Sequence, residues 1–155
     1  MIAVVQRVSS ASVTIDDPPH HDEIEHGMLV LLGVEDGDTE AEADWMAAKL
    51  TRLRIFRDDE DRMNRSVLDV GGGILIVSQF TLLGDASKGH RPSFIKAAAP
   101  EVGQRLYDLV VERLQGIEGL PMGTGVFGAM MQVSLVNDGP VTLIVNTPAS
   151  LRTRA

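Results

Sequence analysis

Residues 137–142 read Asn-Asp-Gly-Pro-Val-Thr, and they separate two strand-like runs, 130–136 and 141–145, near the end of the chain. An Asp-Gly pair favours a tight turn between antiparallel strands. The proline that follows has no amide hydrogen, so its position cannot complete a ladder. The pattern therefore predicts a hairpin in which the carbonyls of Gly139 and Pro140 point outward and are available to a ligand. A plain tight turn remains the alternative, since Gly-Pro pairs are common in turns.

The rest of the chain also contains sequence patterns typical of strands and helices. Apolar or alternating runs predict strands, Gly71-Gly72-Gly73 leads into one of them, and capping residues with helical spacing predict helices. The predicted strands are 2–8, 11–15, 28–34, 54–56 and 74–80, and the predicted helices begin at residues 40, 93 and 100. Because short turns join most neighbouring strands, this order favours a mixed α+β domain with a largely antiparallel sheet.

Composition sets the class of protein. A chain of 155 residues with 44% hydrophobic and 23% charged residues is typical of one soluble domain. The absence of cysteine excludes disulfides, thiolate nucleophiles and cysteine-ligated metals. No apolar run approaches the roughly 20 residues of a membrane span. The first seven residues are typical of a strand rather than a signal peptide, so we expect no membrane association and a cytoplasmic location.

The net charge of −8 is unevenly distributed. Residues 1–48 hold eleven acids and one base (−10), residues 49–96 hold nine bases and six acids (+3), and the remainder holds four bases and five acids (−1). The middle third is therefore a candidate to face phosphates although the whole chain is acidic. A solvated surface is the alternative interpretation.

Candidate catalytic side chains lie at the end of the predicted strand 74–80, where Ser78-Gln79-Phe80-Thr81 leaves the core. A nucleophilic hydroxyl needs a base beside it, and His90 is the nearest candidate. No acid is placed to orient His90, so a Ser-His-Asp triad is poorly supported, and the hydroxyls of Ser78 and Thr81 can instead satisfy strand-end backbone groups. His20 and His21 would point to opposite faces of a strand, so we predict no metal site.

Five motifs in order along the chain resemble those of the D-aminoacyl-tRNA deacylase family, also called D-tyrosyl-tRNA deacylase. The similarity extends from Met1 to about Val145. The motifs are Gln6-Arg7-Val8, Gly71-Gly72, Ser78-Gln79-Phe80-Thr81-Leu82, Arg91-Pro92-Ser93-Phe94 and Asn137-Asp138-Gly139-Pro140-Val141-Thr142.

The resemblance implies a homodimer of single-domain α+β subunits with a barrel-like sheet, over residues 1–147, with 148–155 as a polar tail. Ser78, Gln79, Phe80 and Thr81 would form the catalytic pocket. Gly139 and Pro140, joined by a cis peptide, would enter it from the partner. Arg7 would fix the Gly-Pro conformation, and Phe127 would lie near the terminal adenosine. The family usually has an acid where this chain has Met130.

The reaction implied by the resemblance is hydrolysis of the ester between a D-amino acid and the 3′-terminal ribose of tRNA, without a cofactor. Carbonyls of Gly139 and Pro140 would read groups common to all amino acids and exclude an L side chain. Glycyl-tRNA would then also be a substrate. We expect water attack with the oxyanion held by amides around Gln79 and Phe80. Thr81 as nucleophile, or assistance by the substrate's 2′-hydroxyl, remains open, as does a non-catalytic dimeric module that binds an RNA 3′ end or another ligand.

Overall fold

The computed structural model describes residues 1–152, which form one domain of strands and helices. The strands are β1 (Ile2–Ile15), β2 (His20–Ile24), β3 (Gly27–Gly33), β4 (Phe56–Arg57), β5 (Met63–Arg65), β6 (Gly73–Ser78), β7 (Met122–Thr124) and β8 (Gln132–Asn146). The helices are α1 (Glu40–Arg52), α2 (Pro100–Gln115) and α3 (Ala149–Arg152), with a 3-10 turn at Phe80–Leu83. The predicted α+β class is confirmed.

One sheet carries the fold, in the order β2-β1-β3-β6-β7, with β8 on the other edge of β1. The pairs made by β1 are antiparallel, whereas β3–β6 and β6–β7 are parallel, which the sequence did not predict. The two ends of this order meet, because Asp22 on β2 accepts the N–H of Thr124 on β7 at 2.8 Å. His20 Nε2 donates to the Thr124 carbonyl at 2.7 Å. The sheet is thus nearly closed into a barrel.

Two hydrophobic cores lie on the two faces of this curved sheet. Along β6, Ile74 and Ile76 face the helices, while Leu75 and Val77 face the barrel interior. This alternation follows from the two-residue period of a strand, and it explains why β6 is apolar on both faces. The helices α1 and α2 cover the outer core, and Arg105 and Arg113 on α2 pair with acids on α1.

The predicted hairpin at the end of the chain is wrong, because β8 continues through residues 137–142 without reversing direction. It pairs antiparallel with β1 from Ile2 opposite Asn146 to Thr14 opposite Gln132. The register jumps between the Gln6–Thr142 and Val8–Asn137 pairs, so residues 138–141 bulge out opposite Arg7. The chain does not reverse because β1 supplies hydrogen-bond partners to both halves of β8. For the same reason β1 is continuous, and the predicted break at Ser9-Ser10 is absent.

Several local predictions also need correction. Residues 93–98 are not helical, since Ser93 and Asp85 exchange backbone hydrogen bonds and close a hairpin. Two stretches outside the strands predicted from the sequence are also paired: residues 63–65 form β5 against β4, and residues 20–24 form β2 against β1. The short strand predicted at 54–56 lies at Phe56–Arg57. Helix α3 lies within the predicted tail, whose residues 153–155 fall outside the described part of the chain.

The two longer helices begin and end as predicted. Thr39 caps α1, and its capping box includes Glu42. Pro100 occupies the first turn of α2, and Gly116 follows its last residue. No helix within residues 1–152 has the length and apolar character needed to cross a membrane.

Candidate active site

A cavity of about 340 Å³ opens beside the end of β6. Its walls come from the strand ends, the 3-10 turn, the first half of α2 and the segment before β8. The lining residues are Leu32, Val34, Val77, Ser78, Gln79, Phe80, Ala98, Gly103, Tyr107, Phe127, Gly128, Ala129, Met130, Met131 and Val133. The cavity therefore contains Ser78, Gln79, Phe80 and Phe127 from the predicted site, within a mostly apolar wall.

The polar motif is placed by the end of strand β6. The N–H of Gln79 donates to the carbonyl of Leu32 on β3 at 2.8 Å, and the chain then enters the 3-10 turn. This turn leaves Phe80 57% exposed at the cavity rim. The side-chain amide of Gln79 donates to the hydroxyl of Thr81, which itself does not line the cavity.

These contacts correct the expected oxyanion site. Because the Gln79 N–H is used in the sheet, it cannot also bind an oxyanion. Phe80 is the first residue of the 3-10 turn, and its N–H has no acceptor within the described chain. The first N–H groups of a helical turn lack partners in the turn, and the N–H groups of Phe80 and Thr81 are therefore the backbone donors of the motif without an acceptor among the described residues.

Tyr107 and Gly103 line the cavity but were not predicted as site residues. The Tyr107 hydroxyl donates to the carbonyl of Ile76 at 3.0 Å, and burial, aided by nearby Asp108, raises the pKa of this phenol above its usual value. A tyrosine on the apolar face of α2 looks like a core residue in the sequence, and only its contact with β6 reveals its position. Phe127 passes close to Gly103, where an added Cβ would lie 3.4 Å from the ring.

Gly139 and Pro140 lie in the bulge of β8, and the peptide bond between them is cis. Arg7 on β1 is only 3% exposed and holds the bulge from behind. Its Nε donates to the Asp138 carbonyl at 3.2 Å and pairs with the Asp138 carboxylate at 3.0 Å. Its Nη1 donates to the carbonyl of Ile55 at 2.6 Å. One arginine thus fixes the bulge to the body of the domain.

Asn137 spans the same bulge from within β8. Its Oδ1 accepts the N–H of Val141 at 2.9 Å, and its Nδ2 donates to the Thr142 hydroxyl at 3.0 Å and to the Val141 carbonyl at 3.4 Å. The side chain replaces the ladder partners that Val141 loses by leaving β1. This role of Asn137 was not predicted from the sequence, although an asparagine before a looped-out segment commonly bonds nearby backbone groups.

The bulge and the cavity are separate within one subunit. Gly139 and Pro140 do not line the 340 Å³ cavity, and Arg7 and Asp138 line a second space of about 190 Å³ instead. The outer edge of β8 has no strand partner within residues 1–152, and apolar side chains on β8 are exposed. The exposed set is Leu135, Val136, Leu143 and Ile144.

The histidines do not assemble a catalytic or metal centre in the described part of the chain. His90 makes no hydrogen bond there and does not contact Ser78. His20 bonds the Thr124 carbonyl, and His21 bonds the Thr14 hydroxyl at 3.0 Å on the opposite side of β2. No three acidic or histidine side chains among residues 1–152 are grouped to hold a metal ion.

The comparison with known proteins decides the family. The family model described as D-Tyr-tRNA(Tyr) deacylase matches residues 4–146. The chain belongs to this family. It is 56% identical over 149 residues to a D-aminoacyl-tRNA deacylase of Opitutus terrae, covering 96% of this chain and 99% of that protein. It is 57% identical to the D-aminoacyl-tRNA deacylase of Chlorobaculum parvum, covering 96% and 99%. These relatives are named as enzymes that hydrolyse an ester.

Two solved structures share the fold of this chain. A structure described as c-Myc DNA Unwinding Element Binding Protein matches with a TM-score of 0.88 and 40% identity, covering 96% of this chain and all of that chain. A probable eukaryotic D-amino acid tRNA deacylase matches with a TM-score of 0.76 and 19% identity, covering 93% and 97%. At that identity the second match shows the shared fold.

Proposed function

We propose that the protein hydrolyses the ester between a D-amino acid and the 3′-terminal ribose of tRNA, and that it rejects L-aminoacyl-tRNA. The observation that carries the proposal is the match to named deacylases over nearly the whole chain. The apolar cavity with Ser78, Gln79 and Phe80 at its polar end supports the same reaction, since it offers room for an aminoacyl group beside an unpaired backbone donor.

The active form is a homodimer in which Gly139 and Pro140 of one subunit reach the cavity of the other. Two observations support this arrangement. The dipeptide lies outside the cavity of its own subunit, and β8 is a long strand with an unpaired edge and exposed apolar side chains. Edges of this kind are usually paired or covered.

Chiral selection is assigned to the backbone of Gly139 and Pro140. A filter for all D-amino acids must read the α-amine and carbonyl that they share, and backbone carbonyls accept hydrogen bonds from an ammonium. The filter must also be rigid to exclude an L side chain, and Arg7 and Asn137 hold the bulge from two sides. Glycyl-tRNA has no side chain to exclude, so it is also hydrolysed.

Hydrolysis proceeds by attack of water on the ester carbonyl, with the N–H of Phe80 donating to the developing oxyanion. The hydroxyl of Thr81 is a poor nucleophile here, because it accepts a hydrogen bond from the side-chain amide of Gln79. An amide is not a base that could take the proton of this hydroxyl. With no base beside the reacting centre, the ribose 2′-hydroxyl of the substrate assists the attack.

The proposal is tested by release of labelled D-tyrosine from D-tyrosyl-tRNA, with L-tyrosyl-tRNA as the matched control and glycyl-tRNA as a third substrate. We expect rapid release from the D and glycyl substrates and none above background from the L substrate. Binding of tRNA without release would instead support the non-catalytic module. Equal release of both enantiomers would refute the filter but not the hydrolase.

The dimer has its own test. Val136→Glu combined with Ile144→Glu places charges on the exposed edge strand, and we expect monomers by light scattering together with loss of deacylation. Met63→Glu is the control, since Met63 is similarly exposed but lies on β5. A monomeric variant with full activity would contradict the shared site.

A further inference from the structure

A hairpin projects beside the cavity between the 3-10 turn and α2. Two backbone hydrogen bonds between Asp85 and Ser93, of 2.8 and 2.9 Å, close its neck. Below the neck, the N–H of Asp36 donates to the Lys96 carbonyl at 2.9 Å, and the N–H of Ala98 donates to the Val34 carbonyl at 3.0 Å. Residues 86–92 therefore form an exposed tip on a base that is hydrogen-bonded to the domain.

The hairpin is tied to the rim of the cavity. The Phe94 ring meets the Phe80 ring edge-on, with centroids 5.2 Å apart, and Phe80 and Ala98 both line the cavity. Gly84 permits this contact, because an added Cβ would lie 2.9 Å from the Phe94 ring. Arg91 is three residues from Phe94, so the Cα atoms of these two residues are at most about 11 Å apart.

The hairpin is cationic on an acidic protein. Residues 84–97 contain the cations Lys88, Arg91 and Lys96 against the single carboxylate of Asp85, for a net charge of +2 with histidine neutral, whereas the chain carries −8. Asp85 is occupied locally, since its carboxylate accepts the N–H of Ser87 at 2.9 Å.

The two cations at the tip are unpaired, unlike many arginines elsewhere on the surface. Lys88 and Arg91 are exposed and make no ion pair or hydrogen bond with any residue from 1 to 152. Five other surface arginines each have a carboxylate within 3 Å, namely Arg57, Arg62, Arg65, Arg105 and Arg113. The charges of Lys88 and Arg91 are thus available to an external anion.

The opposite rim of the cavity offers no such charge. Residues 127–133 contain no charged side chain, and all of them except Gln132 line the cavity. If the terminal ribose enters the cavity, as the proposed function requires, the preceding nucleotides and their phosphates extend outward across the rim of the cavity. We propose that Lys88 and Arg91 bind these phosphates of the tRNA acceptor end and so set the direction in which the RNA leaves the site.

The test uses the double variant Lys88→Ala/Arg91→Ala and two substrates, D-tyrosyl-tRNA and 3′-(D-tyrosyl)adenosine, which lacks the phosphates. On the tRNA we expect KM to rise several-fold at low salt with kcat unchanged. The slope of log KM against log salt should fall by about 1.4, because each lost single-strand phosphate contact removes about 0.7. On the adenosine ester, both constants should match those of the unaltered protein.

The matched control is Lys49→Ala/Arg52→Ala, which removes the same two charges from exposed positions on α1, a helix that contributes nothing to the cavity lining. Its salt dependence should parallel that of the unaltered protein. The conservative pair Lys88→Arg/Arg91→Lys should keep the original slope.

Two results would overturn the inference. One is an unchanged slope and KM on tRNA in the alanine double variant. The other is an equal loss on the adenosine ester, which would show that the hairpin shapes the pocket rather than binding phosphate. If the unaltered protein releases no D-tyrosine, the proposed function fails instead. The inference is then still decided by the salt dependence of uncharged tRNA binding in the same variants.

Discussion

The Arg7 guanidinium on β1 and the Asp138 carboxylate on β8 are joined at 3.0 Å, across 131 positions of sequence. The same arginine also donates to the carbonyls of Asp138 and Ile55. The conformation of the Gly139-Pro140 bulge is therefore supported from the first strand of the domain as well as by Asn137 within β8.

Replacing this arginine should cost both stability and selectivity. Arg7→Met roughly keeps the side-chain volume, but it leaves the buried carbonyl of Ile55 without its hydrogen-bond donor. We expect unfolding free energy to fall by about 1–3 kcal/mol, measured by urea denaturation, and discrimination between D- and L-tyrosyl-tRNA to weaken. Arg62→Met is the control, because its exposed pair with Glu60 should contribute less than about 0.5 kcal/mol. Unaltered selectivity in Arg7→Met would show that the bulge does not depend on this contact.

Gly139→Ala should damage the site more than the fold. Gly139 has a φ of +127°, and an added Cβ would lie 2.8 Å from both Arg7 Nη2 and Val141 Cγ2. We expect the bulge to shift and kcat/KM for D-tyrosyl-tRNA to fall on the order of 100-fold. Gly119→Ala is the matched control, with a φ of +77° but open space around the Cβ. If chiral discrimination survives unchanged in Gly139→Ala, the backbone filter is wrong.

Asn137 is expected to act as a positioning residue for the same bulge. Asn137→Ala removes the acceptor for the Val141 N–H and the donor to Thr142, and kcat/KM for D-tyrosyl-tRNA should drop about tenfold, the equivalent of one net hydrogen bond. Asn137→Asp keeps the acceptor and should lose less. A purely structural role predicts lower thermal stability for both variants with an unchanged ratio of D to L hydrolysis, so that ratio is the deciding measurement.

Thr81→Ala separates the two hydrolytic mechanisms. If the substrate's 2′-hydroxyl assists, the variant should keep its deacylation rate within about fivefold, since the Thr81 hydroxyl contacts only the Gln79 amide. Substrate ending in 2′-deoxyadenosine should lose on the order of 100-fold or more in the unaltered protein. Near-total loss of deacylation in Thr81→Ala, with tRNA binding and fold intact, would eliminate the substrate-assisted version.

Lowering the pH should reduce the stability that the ionised carboxylate of Glu42 gives to helix α1. Burial is the largest influence on this carboxyl and opposes its ionisation, but hydrogen bonds from the Thr39 hydroxyl and N–H outweigh it and hold the pKa of Glu42 below its usual 4.5. Because the folded pKa is depressed, the stabilisation is fully present above pH 4.5 and is lost as the pH falls through the folded value.

The measurement is the difference in unfolding free energy between the unaltered protein and Glu42→Gln. We expect about 1 kcal/mol at pH 7, shrinking as the pH falls below 4.5. Glu118→Gln, at an exposed position without an ion pair among the described residues, is the control and should change the unfolding free energy by less than about 0.5 kcal/mol at pH 7. A difference that stays constant from pH 7 to pH 3 would contradict the assignment.

The sequence by itself was sufficient for the two longer helices, for β6 and for the family. Capping at Thr39 and Pro100 placed α1 and α2, and the apolar run before Ser78 placed β6, because these signals depend on neighbours within one turn or one strand. Ser78, Gln79 and Phe80 line a cavity, since a strand leaving the core exposes its polar end.

Only the tertiary structure decided which strands pair and which backbone groups are used. Residues 137–142 have the local chemistry of a turn, yet β8 continues through them because β1, roughly 130 residues away along the chain, offers a ladder on both sides. Leu32 likewise takes the N–H of Gln79 and leaves that of Phe80 available. The spacing of apolar residues in the sequence indicates which side of a strand or helix is buried. It does not indicate which distant strand supplies the hydrogen-bond partners, because that depends on the packing of the whole sheet.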